Sequence, residues 1–227
     1  MATALIIGAS RGIGFEFARQ YRAAGWRVIA TARKAEDLQK LAALGCMALM
    51  LDVTNINDCA ALPAHLDELG EQKLNLAIFN AGVIGGRTSS LDVPEQAIFD
   101  DTMHTNVLAA MRILPILLPL VDKAEGKLAV LSSKMGSISL RENSASWLYR
   151  ASKAALNSVL KDISLNTEKS VCVAFHPGWV RTDMGGSNAD LSVEQRVSSM
   201  RSTLARLSRN AGDNGSFFNF DGSKLNW

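Results

Sequence analysis

The sequence predicts an α/β fold of doubly wound type, a mostly parallel seven-stranded sheet with helices on both faces, formed as a single domain over residues 1–227. Three observations predict it. Short apolar runs alternate with segments of helical periodicity along nearly the whole chain. The first run, Ala4 to Ile7, is continuously apolar, as a central parallel strand covered on both faces must be. That run leads directly into a glycine-punctuated turn, Gly8-Ala9-Ser10-Arg11-Gly12-Ile13-Gly14, and then into the helical stretch Phe15 to Arg22.

A strand, a glycine turn and a helix in this order form a cradle for a nucleotide phosphate. Gly8, Gly12 and Gly14 fall where the chain must turn sharply, approach a pyrophosphate and pack helix against sheet. The helix start then aims unsatisfied N–H groups at the anion. The spacing Gly8-x-x-x-Gly12-x-Gly14 departs from G-x-G-x-x-G, so a plain glycine turn is the competing reading. The next strand, Arg27 to Arg33, completes a βαβ unit, and the residues at its end select the cofactor. An acid there would bond a ribose 2′-hydroxyl; here the chain has Ala32-Arg33, and with Arg11 two guanidiniums could meet a 2′-phosphate. NADP(H) is therefore expected over NAD(H).

The remaining elements follow in order. Leu38, Leu41 and Leu44 give a helix over 35–44, stopped by Gly45, and Met47 to Leu51 is the third strand, closed by Asp52-Val53. A helix over 56–69 precedes a strand over 74–79, which runs into Asn80-Ala81-Gly82. After a loop through Gly85 to Ser90, Asp92-x-x-Glu95 marks a helix start. The helix over 99–114 is expected to kink or end near Pro115, and it puts Asn106 among Met103, Val107 and Leu108, where a buried amide needs partners. Lys127 to Ser133 is the fifth strand; its side chains alternate faces, so only one of Ser132 and Ser133 turns toward the helix over 147–163. That helix carries Tyr149 and Lys153 four residues apart, stacked on one face, where an ammonium favours an ionised phenol. Val171 to His176 is the sixth strand. Beyond it lies Pro177-Gly178-Trp179-Val180-Arg181-Thr182, then a glycine-bearing loop over 183–191 that reads as a mobile lid. Ser192-x-x-Gln195 caps a helix with Val193, Val197, Met200, Leu204 and Leu207 on one face, and a short aromatic strand follows Gly215.

Composition removes several function classes. Lys plus Arg number 24 against 22 Asp plus Glu, with no basic run, so nucleic acid is not an expected partner. Cys46, Cys59 and Cys172 match neither a zinc spacing nor a disulfide framework, and His65, His104 and His176 are isolated, so no metal is expected. The first strand starts almost at Met1, leaving no room for a signal peptide; a reducing cytoplasm is the expected location. The apolar stretch Val107 to Val121, interrupted by Arg112, Pro115 and Pro119, reads as too short to span a bilayer.

Taken together, Gly8-x-x-x-Gly12-Ile13-Gly14, Asp52, Asn80-Ala81-Gly82, Asn106, Ser133, Tyr149-x-x-x-Lys153 and Pro177-Gly178 with Thr182 make the chain resemble the short-chain dehydrogenase/reductase family over nearly its whole length. The wording Ser132-Ser133-Lys-Met-Gly-Ser, the segment from Tyr149 to Asn157 and the closing Phe220-Asp-Gly-Ser-Lys resemble its C-factor-like and sniffer-type carbonyl reductases most. The resemblance implies a Rossmann fold and hydride transfer between NADP(H) and a small carbonyl or alcohol substrate. In that scheme Tyr149 exchanges the proton, Ser133 bonds the carbonyl oxygen, Lys153 binds the nicotinamide ribose and lowers the tyrosine's pKa, and Asn106 holds a relay water. It also implies that the cofactor is bound by Gly8, Ser10, Arg11, Gly12, Ile13 and Gly14 at the turn, and by Arg33, Asp52 and Val53 at the adenosine end. Asn80, Ala81 and Gly82 would support its pocket, and Pro177, Gly178, Val180 and Thr182 would meet the nicotinamide. A homodimer or homotetramer is expected by analogy.

Two departures stand out. The family's usual threonine before the first glycine is Ile7 here, removing one expected hydrogen bond, and the segment between Ser133 and Tyr149 is about three residues longer than is common in the family, an excess expected to bulge after Gly136. Two other functions compete with catalysis: a catalytically silent nucleotide-binding sensor or signalling protein on the same fold, and an assembly module built on the apolar 107–121 helix. Neither accounts for Asn106, Ser133, Tyr149 and Lys153 occurring together.

Overall fold

A computed structural model describes residues 1–89, 91–179 and 192–227. The strands are β1 (Thr3–Ile7), β2 (Arg27–Ala32), β3 (Met47–Met50), β4 (Leu76–Phe79), β5 (Lys127–Leu131), β6 (Val171–His176), β7 (Ser216–Asn219) and β8 (Lys224–Leu225). They form one sheet in the order β3-β2-β1-β4-β5-β6-β7-β8, parallel throughout except for the antiparallel β7–β8 pair. The eighth strand corrects the expected seven. It has only two residues, too few for any periodicity, and exists because a turn in which Asp221 accepts from the Ser223 amide and hydroxyl folds the chain back on β7.

The helices divide between the faces as the apolar spacing demands. On one face lie α3 (Ile56–Glu68), α5 (Ala109–Lys123) and α6 (Trp147–Leu165), packed on inward residues such as Leu5, Ala77, Val130 and Ala174. On the other lie α1 (Gly12–Ala23), α2 (Ala35–Ala43) and α7 (Val193–Arg206), packed on Ile6, Ile78, Leu131 and Phe175. The neighbours Ile6 and Ile7 thus belong to different cores, which is why β1 is continuously apolar from Ala4 to Ile7. Helix α7 opens on the expected capping box, with Ser192 and Gln195 satisfying each other's backbone N–H groups.

The middle of the chain departs from expectation. Helix α4 (Gln96–Met103) has Glu95, not Asp92, as its N-cap. It passes through a π-turn, His104–Leu108, straight into α5, which continues through Pro115 and Pro119 to Lys123. The helix does not end at Pro115, because a proline at i deprives only the carbonyl at i−4 of its partner. Those carbonyls belong to Met111 and Pro115, which with Pro119 lie on the exposed face where water can serve them, while Ile113, Leu114, Leu117, Leu118 and Val121 stay buried. The unbroken run of 28 residues, Gln96–Lys123, is long and apolar enough by length and composition to cross a membrane, contrary to the expected shortness, and half of its most apolar stretch is buried inside the protein.

The topology reverses at β1, which pairs with β2 on one side and β4 on the other, so a crevice opens at the carboxyl ends of β1 and β4. The expected lid over 183–191, and with it Val180 and Thr182, lies outside the described residues.

The glycine turn gives a direct test of this architecture. A Cβ on Gly14 would lie 2.6 Å from Asn80 Nδ2 and collide with the Gly8 carbonyl oxygen. Gly14→Ala should therefore cost about 1–3 kcal/mol through overpacking, a fall of roughly 3–10 °C in Tm, read by thermal unfolding. An unchanged Tm would show that the turn has slack the geometry denies.

Candidate active site

The turn after β1 is held from both sides. Gly8 takes φ 84°, and its N–H donates to Thr31 Oγ1 of β2 at 3.0 Å. Its carbonyl accepts from Asn80 Nδ2 at 2.6 Å, and a Cβ on Gly8 would approach Ala81 backbone atoms at 2.9 Å. Thr31 is a partner that sequence reading missed because it comes from the neighbouring strand. Gly12 is also left-handed, at φ 56°, and the side chain of Arg11, the N-cap of α1, does not cap the first-turn amides of α1.

At the adenosine end, Arg11 and Arg33 are both exposed. Arg33 lies 3.9 Å from Asp52, whose other oxygen accepts from the Thr54 amide and hydroxyl. Burial raises the Asp52 pKa, but the Thr54 bonds and Arg33 outweigh it and hold the carboxyl below its ordinary value. The expected cofactor contact of Val53 has to run through its backbone, because the side chain is buried in the core beside α3.

The residues expected to do chemistry converge between β5, α6 and the π-turn. Strand β5 ends at Leu131, and the serines beyond it diverge as the alternation predicts. Ser132 donates to Asn157 Oδ1 of α6 at 2.5 Å, while Ser133 lines a cavity with Tyr149. Ser137 and Ser139 turn away and bond the carbonyl oxygen of Trp227 at 3.0 and 2.9 Å. Lys153, on α6 one turn after Tyr149, is buried with its ammonium 5.7 Å from the phenol ring centroid, donating to the Leu131 carbonyl at 2.9 Å. Gly82 leaves room for it, since a Cβ there would lie 3.3 Å from Lys153 Nζ.

Burial pushes the Tyr149 phenol up to about 12, and the Ser133 hydroxyl opposes this only in part. Burial also brings the Lys153 ammonium down to about 8. The Asn106 side chain is occupied too. Its Oδ1 accepts from Val83 N at 2.8 Å, and Nδ2 donates to Val83 O at 2.8 Å and Ser152 Oγ at 2.9 Å, so both its donors are spent on fixing the Val83 segment against α6. The π-turn that carries Asn106 was not legible in the sequence, since the apolar spacing of 99–114 fits an ordinary helix equally well.

The cavity is about 460 Å3 and mostly apolar, with Ile13, Ile84, Met135, Leu140, Pro177 and Trp179 among its walls. The lengthened segment after Gly136 contributes Leu140, Glu142 and Asn143. Asn143 is fixed by Arg150, whose guanidinium donates to Asn143 Oδ1 at 2.7 Å and to the Ala145 carbonyl at 2.8 Å. His176, at the end of β6, also borders the cavity, and its Nδ1 is buried without a partner. Burial, then Arg196 and Lys134, bring its pKa down to about 4.

A model of the short-chain dehydrogenase family matches residues 2–191. The chain belongs to the short-chain dehydrogenase family. Among its relatives, C-signal of Myxococcus xanthus is 36% identical over 157 residues, 68% of this chain and 93% of that protein. The carbonyl reductase Sniffer of D. melanogaster superimposes with a TM-score of 0.90 at 29% identity, with each chain covered fully. A Burkholderia multivorans short-chain dehydrogenase/reductase with bound NADP superimposes at 0.87 with 30% identity, covering 100% of this chain and 99% of the other. Within this family frame, Thr31 and the π-turn are features of the present chain's geometry that its motifs alone do not disclose.

His176 makes a pH prediction. Its folded pKa of about 4 lies below the ordinary 6.5, so between these values the unfolded chain holds a proton the folded chain lacks. Its contribution is complete above about pH 6.5 and is lost as pH falls toward 4, by at most about 3 kcal/mol. Denaturant titrations at pH 7 and pH 5 should show a smaller stability loss in His176→Phe than in the parent. Equal losses would place the imidazole in water-like surroundings.

Proposed function

We propose that this short-chain dehydrogenase is an NADP(H)-dependent carbonyl reductase acting on a small carbonyl or alcohol substrate. The observation that carries the reading is the Ser133 and Tyr149 pair on one cavity wall with the buried Lys153 behind it. The cofactor reading rests on the left-handed Gly8 and Gly12, the first turn of α1 left uncapped by the Arg11 side chain and the absence of an acid at Ala32-Arg33. The B. multivorans relative with NADP supports the same choice. Gly8, Ser10, Gly12, Ile13 and Gly14 would cradle the pyrophosphate, Arg11 and Arg33 the 2′-phosphate, and Asp52 the adenine. Pro177 and Gly178, with Val180 and Thr182 beyond them, would take the nicotinamide end.

The bound nicotinamide supplies or accepts the hydride. The chain's own residues do the rest. Ser133 donates a hydrogen bond to the carbonyl oxygen, and Tyr149, held as a phenol at neutral pH, gives that oxygen its proton as charge develops. Lys153 has donors beyond the one used on Leu131, and these would hold a ribose hydroxyl of the cofactor and stabilise the phenolate left behind. Asn106 keeps the Val83 segment docked so that Gly82 stays beside the ammonium. The exposed face of Met111, Pro115 and Pro119 supports self-association through α5, by analogy with the family.

The relative named C-signal keeps one rival in view, a signalling protein that binds nucleotide without turnover. NADPH oxidation with aldehydes, ketones and quinones separates the two. Tyr149→Phe should lower turnover at least about a hundredfold while leaving NADPH affinity nearly unchanged, because only the proton donor is lost. Retention of more than about a tenth of parent turnover would assign the acid elsewhere. For the cofactor, Arg33→Asp should reverse the preference from NADPH to NADH in kcat/KM, since an acid there repels phosphate and accepts from a hydroxyl. Equal use of both cofactors by the parent would sink the NADP assignment.

A further inference from the structure

The charges around the cavity are unbalanced. Arg87, Lys134 and Arg150 border it, against Glu142 alone among the described residues. Arg150 is committed to Asn143 and the Ala145 carbonyl, and that leaves its positive charge uncancelled by any carboxylate. Lys134 differs from it. It follows Ser133 directly, in the single 3-10 turn Lys134–Gly136, so its backbone is anchored beside the reacting position while its side chain is exposed at the mouth. No carboxylate among the described residues lies within ion-pair distance of its ammonium. Its field nevertheless reaches inward, since it is one of the two cations that disfavour protonation of His176.

We infer that Lys134 is a specificity-determining residue, and that the cavity takes carbonyl substrates bearing an anionic group, a carboxylate foremost, seated at the mouth against the Lys134 ammonium while the carbonyl reaches Ser133 and Tyr149. The geometry fits a short amphipathic molecule. The apolar walls formed by Ile84, Met135 and Leu140 would cover its body, and the two hydroxyls and the Lys134 side chain line the same cavity. His176, kept neutral chiefly by burial and further by Arg196 and Lys134, borders the same cavity and can offer it a ring N–H. Because an ammonium at the mouth meets the substrate equally before and during reaction, its effect belongs to binding, in KM rather than kcat.

This inference rests on the carbonyl-reductase reading, and the experiment separates the two. The full chain is assayed with NADPH on 4-formylbenzoate and on its methyl ester, which share the aldehyde and differ in charge. The parent should prefer the anion. Lys134→Gln should lower the acid-to-ester ratio of kcat/KM about three- to fivefold, the size expected of a partly exposed ion pair, and Lys134→Glu should lower it further. The change should sit in KM and shrink as salt rises. A second measurement needs no turnover: equilibrium dialysis of 4-(hydroxymethyl)benzoate against its methyl ester with NADP+-loaded protein. Loss of the acid's advantage in Lys134→Glu supports the inference even if neither aldehyde is reduced, a result that would remove the reductase reading alone. A ratio that both variants leave unchanged, in turnover or in binding, overturns it.

Discussion

The rest of the site depends on how the end of β1 is clamped. Gly8 is the last residue of the central strand's path, and its two backbone polar groups are taken from opposite directions: Thr31 on β2 accepts its N–H, and Asn80 beyond β4 donates to its carbonyl. A backbone group left unpaired at such depth costs on the order of 1–3 kcal/mol, so both clamps serve stability before they serve function. Their joint effect is geometric. They tie together the ends of three strands at the point where the sheet order reverses, and the amides that open α1 are thereby aimed over the crevice. Ala81 closes against Gly8 so tightly that Gly8 has no room for a Cβ.

A second set of constraints starts at β5. Ser132 still belongs to the sheet ladder through its N–H to the Phe175 carbonyl at 2.8 Å, and its hydroxyl is locked to Asn157. That lock forces the next residue, Ser133, to the other side. Helix α6 is in turn fixed one turn earlier by Ser152, which receives from Asn106 and donates to the Tyr149 carbonyl at 2.8 Å. The π-turn brings Asn106 to this position, so a local departure from α-helical geometry sets the spacing between the Val83 segment and the tyrosine helix. Burying the Lys153 ammonium among these elements is costly, and the Leu131 carbonyl offsets only part of the cost. Fold stability alone gives no reason for that residue to be there.

Most of the architecture was legible because burial on two faces leaves a plain mark on sequence. The strands from Ala4 to Ile7 and from Val171 to Phe175 are apolar at every position, and the helices between them repeat at helical intervals. The motif residues were legible for a different reason: glycines, a Tyr-x-x-x-Lys pair and a Ser-x-x-Gly pattern have few other uses at those places. What escaped was whatever depends on a neighbour distant in sequence or on solvent. Thr31 accepts the Gly8 N–H from 23 residues away. The prolines of α5 look like helix breakers until the exposed side of Met111 and Pro115 is known. The two-residue β8 is created by a turn and carries no pattern of its own.

The electrostatics of the proposed reaction follow from burial and not from pairing. Stacking Tyr149 and Lys153 on one helix face suggests an ammonium that ionises a phenol, yet desolvation acts on both and in opposite senses: it raises the acid toward about 12 and lowers the base toward about 8. At neutral pH both shifts leave each proton in place, a phenol on one residue and an ammonium on the other. That is the state a carbonyl reduction needs at its start, because the proton must be present on Tyr149 when charge appears on the substrate oxygen. Once the proton has moved, a half-buried phenolate on the cavity wall faces a buried ammonium, and the attraction that is absent before transfer then opposes the desolvation that held the phenol neutral. The pair therefore stabilises the product of proton transfer more than its starting state, and this differential stabilisation is what lowers a barrier.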